Sequence, residues 1–349
     1  MKQAVWHEPV VVPSAAMSLH RDGLLSTLLY QRGMRDASDV ARFLLRHPSA
    51  APDPFHVPGM EEAVERVGQA IQAREKIGIF GDYDVDGMTS TALLVHALQG
   101  AGALALKTRL PTRAEGYGLN QQAIDEFVDD GTRLLIAVDC ASTDHHHVAY
   151  ALSRGLDVVI LDHHQMPDGD AGPTGAITVS AQRLADPAAP ARDLVAVGLA
   201  YLLASALAQE GYPLADGSPE TDLQDLVALG TIADVAPLGG INRPLVRDGI
   251  EVLQKRPRPG ILALCRVSDV LPANVDAEAV SFRLAPRLNS AGRMADPALA
   301  LDLLLADDDK AANRLAAELD ALNSNRRIET DRLTGEAEEL LIRDPNGLN

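Results

Sequence analysis

Between Lys76 and Ser180 the chain alternates apolar runs with helix-length segments. "KIGIF", "ALKTRL", "RLLIAVD" and "DVVILD" read as strands, with "GAITVS" as a further one. "TSTALLVHALQGAG", "NQQAIDEFVDDG" and "DHHHVAYALSRG" read as helices between them. Strands alternating with helices of this length form βαβ units and a parallel sheet. The expected fold is therefore α/β, a parallel sheet flanked by helices. Ligands in such sheets bind at the carboxyl ends of the strands.

The flanks are helical. "GLLSTLLYQRGM", "ASDVARFLL" and "MEEAVERVGQAIQAREK" precede the alternation, the last two separated by the proline-containing "PSAAPDPFHVP". After the Ala- and Pro-rich loop "LADPAAPARD", the segments "LVAVGLAYLLASALAQEG", "TDLQDLVALGTIADVAPL" and "NRPLVRDGIEVLQK" read as helices. "DDDKAANRLAAELDALNSNRRIETDRLTGEAEELLI" reads as one long helix, and long polar helices often bridge two domains. Three parts are expected: a helical lead over 1–55, an α/β catalytic domain over 56–275, and a connecting motif with the long helix over 276–349.

At 349 residues, 46% of them hydrophobic, the chain can bury a sizeable core. A net charge of −18 argues against a basic coat for nucleic acid, though not against a local basic groove. Aromatics at 3% argue against extensive base-stacking platforms. No apolar run approaches the ~18 residues of a membrane span, and the first twenty residues lack the apolar core of a signal peptide. Cys140 and Cys265 cannot build a disulfide framework, so the cytoplasm is the expected location, with no membrane partner.

Three strand ends concentrate chemistry. "GDYDVDGMTS" brings Asp82, Asp84 and Asp86, "RLLIAVDC" ends in Asp139, and "DVVILDHH" ends in Asp162, His163 and His164. Asp234 follows in "ALGTIADVAPL". Buried carboxylates are strongly disfavoured unless they are paired or bind metal. Six acids and two imidazoles on one edge therefore call for cations, and this donor set suits Mn²⁺ or Mg²⁺. Two ions could clamp the attacking and leaving oxygens of a phosphoryl transfer. If strand geometry persists, the alternate aspartates share one face. Gly87 would then turn the chain into a helix starting at "TSTALL", whose free N–H groups could hold a phosphate.

Other features have plainer readings. Asp144 in "DHHHV" is expected to cap a helix, with surface histidines. Cys140 reads as a small buried residue beside Asp139. Asp307, Asp308 and Asp309 read as a solvated helix start, and "RRIETDR" as a solvated helix face.

At these residues the sequence resembles the DHH phosphoesterase superfamily and, within it, the RecJ family of single-strand-specific exonucleases. "GDYDVDGMTSTALL", "VDC", "LDHH" and "ALGTIADVAPL" match the first four motifs in order. "RLAPRLNSAGRM" matches the RecJ motif before the connecting helix, and "LPTRAEGYGLN" resembles the segment that reaches substrate. The resemblance implies a two-metal site with Mn²⁺ or Mg²⁺. Asp84, Asp86, Asp139, His163 and Asp234 match ligand positions, Asp139 as the bridging acid, and Asp82 is a further ligand or supporting acid. Asp162 would orient the histidines, and His164 would contact the scissile phosphate. Arg113, Arg287, Asn289 and Arg293 would contact phosphates. The implied reaction is 5′→3′ hydrolysis of single-stranded DNA to mononucleotides, in DNA repair and recombination. Single-strand-binding protein or a helicase would be further partners.

The chain departs from the family pattern in "CAST", where the family has Asn-Gly after the second-motif aspartate. It departs again in "GAITVSAQR", where the family has Asn-Pro, and in "RAEGYG", which is one residue short. RecJ proteins continue into a DHH-associated domain, which this chain is expected to lack. Two rivals stand beside the exonuclease. One is a DHH phosphodiesterase for oligonucleotides or cyclic dinucleotides, or a pyrophosphatase. The other is an inactive replication scaffold, against which the intact ligand positions argue.

Overall fold

The computed structural model describes residues 11–44, 53–186, 189–212, 223–255 and 257–343. The chain divides into two compact units, 1–51 and 52–349. In the first, a 3₁₀ turn (Ser14–Ser18) precedes α1 (Gly23–Gln31) and α2 (Ala37–Leu44). The Asp22 carboxylate caps α1 by accepting from the amides of Leu24 and Leu25, a contact of about 1 kcal/mol.

The second unit opens with α3 (Met60–Gln72) and then follows the expected alternation. Its elements are β1 (Ile77–Phe80), α4 (Val85–Gly100), β2 (Leu106–Arg109), α5 (Gln121–Asp129), β3 (Leu134–Val138), α6 (His145–Ser153), β4 (Asp157–Leu161) and β5 (Ile177–Val179). Next come α7 (Ala196–Gln209), α8 (Gln224–Ala233), α9 (Asn242–Lys255) and α10 (Pro259–Val267). A single turn (Ala277–Ala279) runs into a π-helical turn (Val280–Leu284). Then α11 (Ala285–Met294), α12 (Ala298–Leu305) and α13 (Asp309–Arg343) complete the described residues. No helix among them is long and apolar enough to cross a membrane.

The five strands pair in parallel in the order β2-β1-β3-β4-β5. Side chains of a strand alternate between faces, and the apolar pattern divides accordingly. Ile77, Ile79, Leu134, Ile136, Val159 and Leu161 belong to the cluster that includes Met60, Val64 and Val67 of α3 and the buried faces of α4, α7 and α8. Phe80, Leu135, Ala137, Val158 and Ile160 face the other way, onto Ile124 and Phe127 of α5 and Val148 of α6. β1 and β3 are buried along their whole length, as parallel strands covered on both faces should be. The chain leaves β1 toward β2 on one side and β3 lies on the other, so a crevice opens between the ends of β1 and β3.

α4 is buried almost all round, because it lies between the sheet and the helical layer of α7 and α8. The long helix α13 buries apolar side chains in its first turns. Ala312, Leu315, Ala316 and Leu319 are buried at helical spacing, and residues 328–340 are exposed. Asp308 caps it by accepting from the amides of Lys310 and Ala311.

Candidate metal centre

The strand ends deliver their acids by three different devices. β1 stops at Phe80, so strand geometry does not carry through the three aspartates. Asp84 is instead the N-cap of α4, its carboxylate accepting from the Gly87 amide at 3.1 Å, and Asp86 lies in the first helical turn. The helix thus starts four residues earlier than "TSTALL", and Gly87 is a helical residue rather than a turn. Glycine is needed there for space: a Cβ at Gly87 would fall 2.5 Å from the backbone nitrogen and oxygen of Asp82. That close approach folds Asp82 back over the helix start.

Asp139 follows β3 with φ 62, in the left-handed region that non-glycine residues rarely adopt. Its amide still extends the sheet ladder by donating to the Leu161 carbonyl. Asp162 and the two histidines follow β4, and the Asp162 amide donates to Val179. Asp234 is the C-cap of α8. An acid at the negative end of a helix is unfavourable without a neighbouring cation.

Asp82, Asp86, Asp139 and Asp162 are all buried. Donor atoms converge in three overlapping groups: Asp82, Asp84 and Asp139; Asp139, His163 and His164; and Asp86, His163 and Asp234. Within each group the atoms lie no more than 4.8 Å apart. His163 Nε2 is 3.2 Å from Asp139 Oδ1, 3.7 Å from Asp86 Oδ2 and 3.9 Å from Asp234 Oδ2. Asp86 is oriented by α7, whose first amides, Ala196 and Val197, donate to its two oxygens at 2.8 and 2.9 Å.

The charges are out of balance. Burial, then Asp84, raises Asp82 to about 7 and Asp234 to about 6. Burial and neighbouring carboxylates hold Asp86 and Asp139 well above the usual range. Burial, then His164, lowers His163 to about 4, leaving a neutral imidazole with a lone pair to give. Asp82 Oδ1 and Asp139 Oδ1 are shut off from solvent and accept no hydrogen bond. Unsatisfied carboxylate oxygens beside a neutral imidazole fit an oxygen-preferring divalent cation.

Asp162 behaves differently. Burial alone would raise it, but His164 and Ser142 outweigh burial and hold it at about 2. Its Oδ1 lies 2.7 Å from His164 Nδ1, and its Oδ2 accepts from the Ser142 amide at 3.0 Å. That hydrogen bond raises His164, which stays more readily protonated than a free imidazole.

The basic residues divide. Arg113 stacks over Tyr83 with its guanidinium 4.7 Å from the ring centroid. Arg293 is held below the usual arginine range by burial and by the guanidiniums of Arg113 and Arg326, with Asp84 opposing them. Asn289 lies one helical turn before Arg293 on α11. Arg287, by contrast, is committed to Asp320 at 2.8 Å and to the carbonyls of Arg283 and Val267. α11 reaches the site because Gly292 packs on the aspartate loop, where a Cβ would fall 2.2 Å from the Tyr83 carbonyl oxygen.

Sequence reasoning missed Tyr117, although it lies inside "RAEGYG". Its hydroxyl donates to the Asp139 carbonyl at 3.1 Å and lies 3.2 Å from His164 Nδ1. Ser142 and the amides of α7 were also missed, for they act through the backbone and leave no side-chain signature. Asp144 caps α6 as expected, accepting from the His147 amide, and Cys140 is buried.

Residues 76–231 match the DHH family, N-terminal domain. A crystal structure of exonuclease RecJ bound to manganese is similar at a TM-score of 0.72 and 32% identity, over 84% of this chain and 70% of that one. The chain belongs to the RecJ family. The single-stranded-DNA-specific exonuclease RecJ of Bacillus subtilis (strain 168) is 39% identical over 95% of this chain and 41% of its own length. RecJ of Thermus thermophilus, as solved with Mn²⁺, has a TM-score of 0.77 and 30% identity over 93% of this chain and 46% of that one. The chain thus spans less than half the length of these last two relatives. After Asp139 this chain carries Cys140 and Ala141, and Ala141 has φ 77, a left-handed backbone without a glycine.

Proposed function

We propose that this site is a two-cation phosphodiesterase centre that hydrolyses single-stranded DNA from the 5′ end and releases mononucleotides. The observation that carries the reading is the sharing of Asp139 and His163 among three donor groups, with two buried carboxylate oxygens left unpartnered. Likeness to proteins named single-stranded-DNA-specific exonuclease and solved with manganese supports the substrate class and the metal.

Asp82, Asp84 and Asp139 would hold one ion, and Asp86, His163 and Asp234 the other, Asp139 serving both. Mn²⁺ or Mg²⁺ suits these donors. When bound, the ions supply Lewis acidity and a nucleophile at neutral pH. The protein's own groups do the rest. Asp162 holds His164 through Nδ1 and makes its ring easier to protonate, so that the ring can donate to an oxygen of the scissile phosphate. The Tyr117 hydroxyl lies 3.2 Å from the same Nδ1, and its ring packs edge-on against the imidazole. Arg113 and Arg293, with Asn289 beside them, would neutralise phosphate charge as it builds in the transition state. Arg287, engaged with Asp320, would act on substrate only through the position of α11.

In this reading residues 56–275 are the catalytic part, 1–55 a helical lead and 276–349 the family motif with a long connecting helix. Single-strand-binding protein or a helicase would be its partners, and the cytoplasm its location. The test is single-stranded DNA labelled at the 5′ or the 3′ end, incubated with Mn²⁺. Immediate release of 5′-labelled mononucleotide, with stepwise shortening of the 3′-labelled strand, supports the reading. Release of 3′-labelled mononucleotide, or no cleavage by protein that binds Mn²⁺, overturns it.

A further inference from the structure

The loop from Leu110 to Asn120 joins β2 to α5 and carries Arg113 and Tyr117 of the candidate site. Leu110, Pro111, Gly118 and Leu119 are buried at its two ends, and Arg113, Ala114, Gly116 and Tyr117 are exposed between them. Glu115, midway between Arg113 and Tyr117, is turned inward instead, its side chain 20% exposed. Its Oε2 accepts from the amide and the hydroxyl of Thr112 at 2.7 and 2.6 Å, and its Oε1 pairs with Arg109. Burial alone would raise Glu115, but Thr112 and Arg109 together outweigh burial and hold it below the usual carboxylate range.

Arg109, the last residue of β2, ties this acid to the scaffold. It also donates to Glu126 of α5 at 3.1 Å and to the Leu110 carbonyl. Its own carbonyl accepts from the Gly81 amide at 3.1 Å, so the pair is anchored one residue from Asp82. The consequence falls on Arg113. The Thr112 carbonyl accepts from the Glu115 amide at 3.0 Å, and the Arg113 carbonyl from the Gly116 amide at 3.3 Å, which turns the chain at Arg113. Its guanidinium stands 4.7 Å from the Tyr83 ring centroid, and Arg113 forms no ion pair among the described residues. Glu115 is its nearest acid in sequence, and both oxygens of that carboxylate are occupied by Thr112 and Arg109.

We propose that Glu115, clasped by Arg109, is a positioning residue for the substrate: it folds the loop so that Arg113 stands over Tyr83 as an uncompensated cation beside the aspartates. The proposal rests on the phosphodiesterase reading above and deepens it. Phosphate binding by Arg113 depends here on an acid that touches neither phosphate nor metal. Its sign is distinctive. By charge alone, an acid near a phosphate site opposes a polyanion, so removing it should tighten binding. A positioning acid does the reverse, because its loss frees the arginine that the phosphate needs.

The experiment is fluorescence anisotropy of a labelled single-stranded oligonucleotide in EDTA, where no cleavage interferes, over a salt series. Glu115→Ala should weaken binding about tenfold, the scale of one charge-assisted hydrogen bond. It should also reduce the slope of log affinity against log salt by about 1, as loss of one phosphate contact does. Arg113→Ala should do the same, and Glu115→Ala should add nothing in the Arg113→Ala background. Glu126→Ala is the control: it removes the same charge from the same arginine, outside the loop, and should bind at or above the wild-type value. Isothermal titration should give Glu115→Ala the Mn²⁺ affinity of wild type. Binding by Glu115→Ala as tight as wild type or tighter overturns the proposal. So does an undiminished effect in the Arg113→Ala background, or an equal loss in Glu126→Ala. A loss of Mn²⁺ affinity in Glu115→Ala overturns it too, since the residue would then support the metal centre as a whole.

Mn²⁺-dependent cleavage by the same wild-type protein separates this proposal from the reading beneath it. Cleavage by wild type, with a Glu115→Ala variant that binds and cuts alike, leaves the phosphodiesterase and removes the clasp. Binding that depends on Glu115 through Arg113, in protein that does not cut, leaves the clasp and removes the phosphodiesterase.

Discussion

Asp139 Oδ1 lies 3.2 Å from His163 Nε2, buried and without a hydrogen bond. The pair is a set of donors facing each other with no proton held between them in hydrogen-bond geometry. A cation would join what is now only juxtaposed. Wild-type protein should therefore gain about 2.7 kcal/mol of stability at Mn²⁺ a hundredfold above its dissociation constant. Asp139→Ala should lose most of that gain, and its cleavage rate should fall by about three orders of magnitude, since such an ion contributes several kcal/mol. In EDTA the variant should melt no lower than wild type, because it loses a buried carboxylate crowded by Asp86 and Asp84. Differential scanning calorimetry with and without Mn²⁺ checks both. A variant that still gains stability from Mn²⁺ as wild type does would remove Asp139 from the shared position.

A second network sits at the opposite end of the helices that carry ligands. Arg258 donates to both oxygens of buried Asp225 at 2.7 Å and lies 2.9 Å from His96 Nε2. It thereby ties α4, through His96, to α8, through Asp225. Burial, then Arg258, lowers His96 to about 4. In the unfolded chain this histidine takes its proton near pH 6.5, and in the folded one only near 4. The unfolded state therefore binds more protons between those values, and stability falls as pH falls through that window. The loss accumulated between pH 6.5 and about 4 is about 3 kcal/mol. His163 adds to this decline and the raised carboxyls of Asp82 and Asp234 oppose it, so the His96 contribution is read as a difference. In urea denaturation at pH 7, 6, 5 and 4, His96→Gln should gain stability relative to wild type as the pH falls. A difference between the two that does not change with pH would move the effect to other groups.

Much of this site was legible because strand ends and acids coincide in sequence. The alternation gave the sheet, and Asp82, Asp84, Asp86, Asp139, His163 and Asp234 all reach one edge. The geometry of the first three was misread, since local spacing favoured an extended chain. What decided otherwise was tertiary: α7 meets Asp86 across more than a hundred positions, and helix packing overrides a short period. The same limit hid Arg287. Its type suggested phosphate, but a partner on α13 occupies it. The π-helical turn was invisible too, because its extra residue leaves no mark in composition.

Gly292 holds α11 against the aspartate loop. In Gly292→Ala the new methyl carbon would meet the Tyr83 carbonyl oxygen at 2.2 Å, and backbone cannot step aside as a side-chain tip can. The expected penalty is about 1 to 3 kcal/mol, together with weaker Mn²⁺ binding, because Tyr83 lies between Asp82 and Asp84. Gly335→Ala is the matched control. It lies on the exposed stretch of α13 with nothing near its Cβ position, and should leave Mn²⁺ affinity unchanged. Isothermal titration of both variants compares them. Equal affinities would mean that the loop holds its shape without α11.

Ala141 occupies a backbone conformation that suits glycine, at φ 77, two residues past Asp139. The left-handed region costs an alanine about 1 to 2 kcal/mol. Replacing it by glycine relieves that strain but also removes a buried methyl, worth about 0.8 kcal/mol. It also frees the unfolded chain. These effects nearly cancel, so Ala141→Gly should stay within about 1 kcal/mol of wild type. Ala141→Val has no such compensation, since a β-branched residue is strained further there and the position is buried. It should destabilise by about 2 kcal/mol or more and lower Mn²⁺ affinity by moving Asp139. Denaturation midpoints of the two variants decide it. A valine tolerated as well as glycine would mean that the turn relaxes to an ordinary backbone and that the strain at Asp139 is not held by its neighbours.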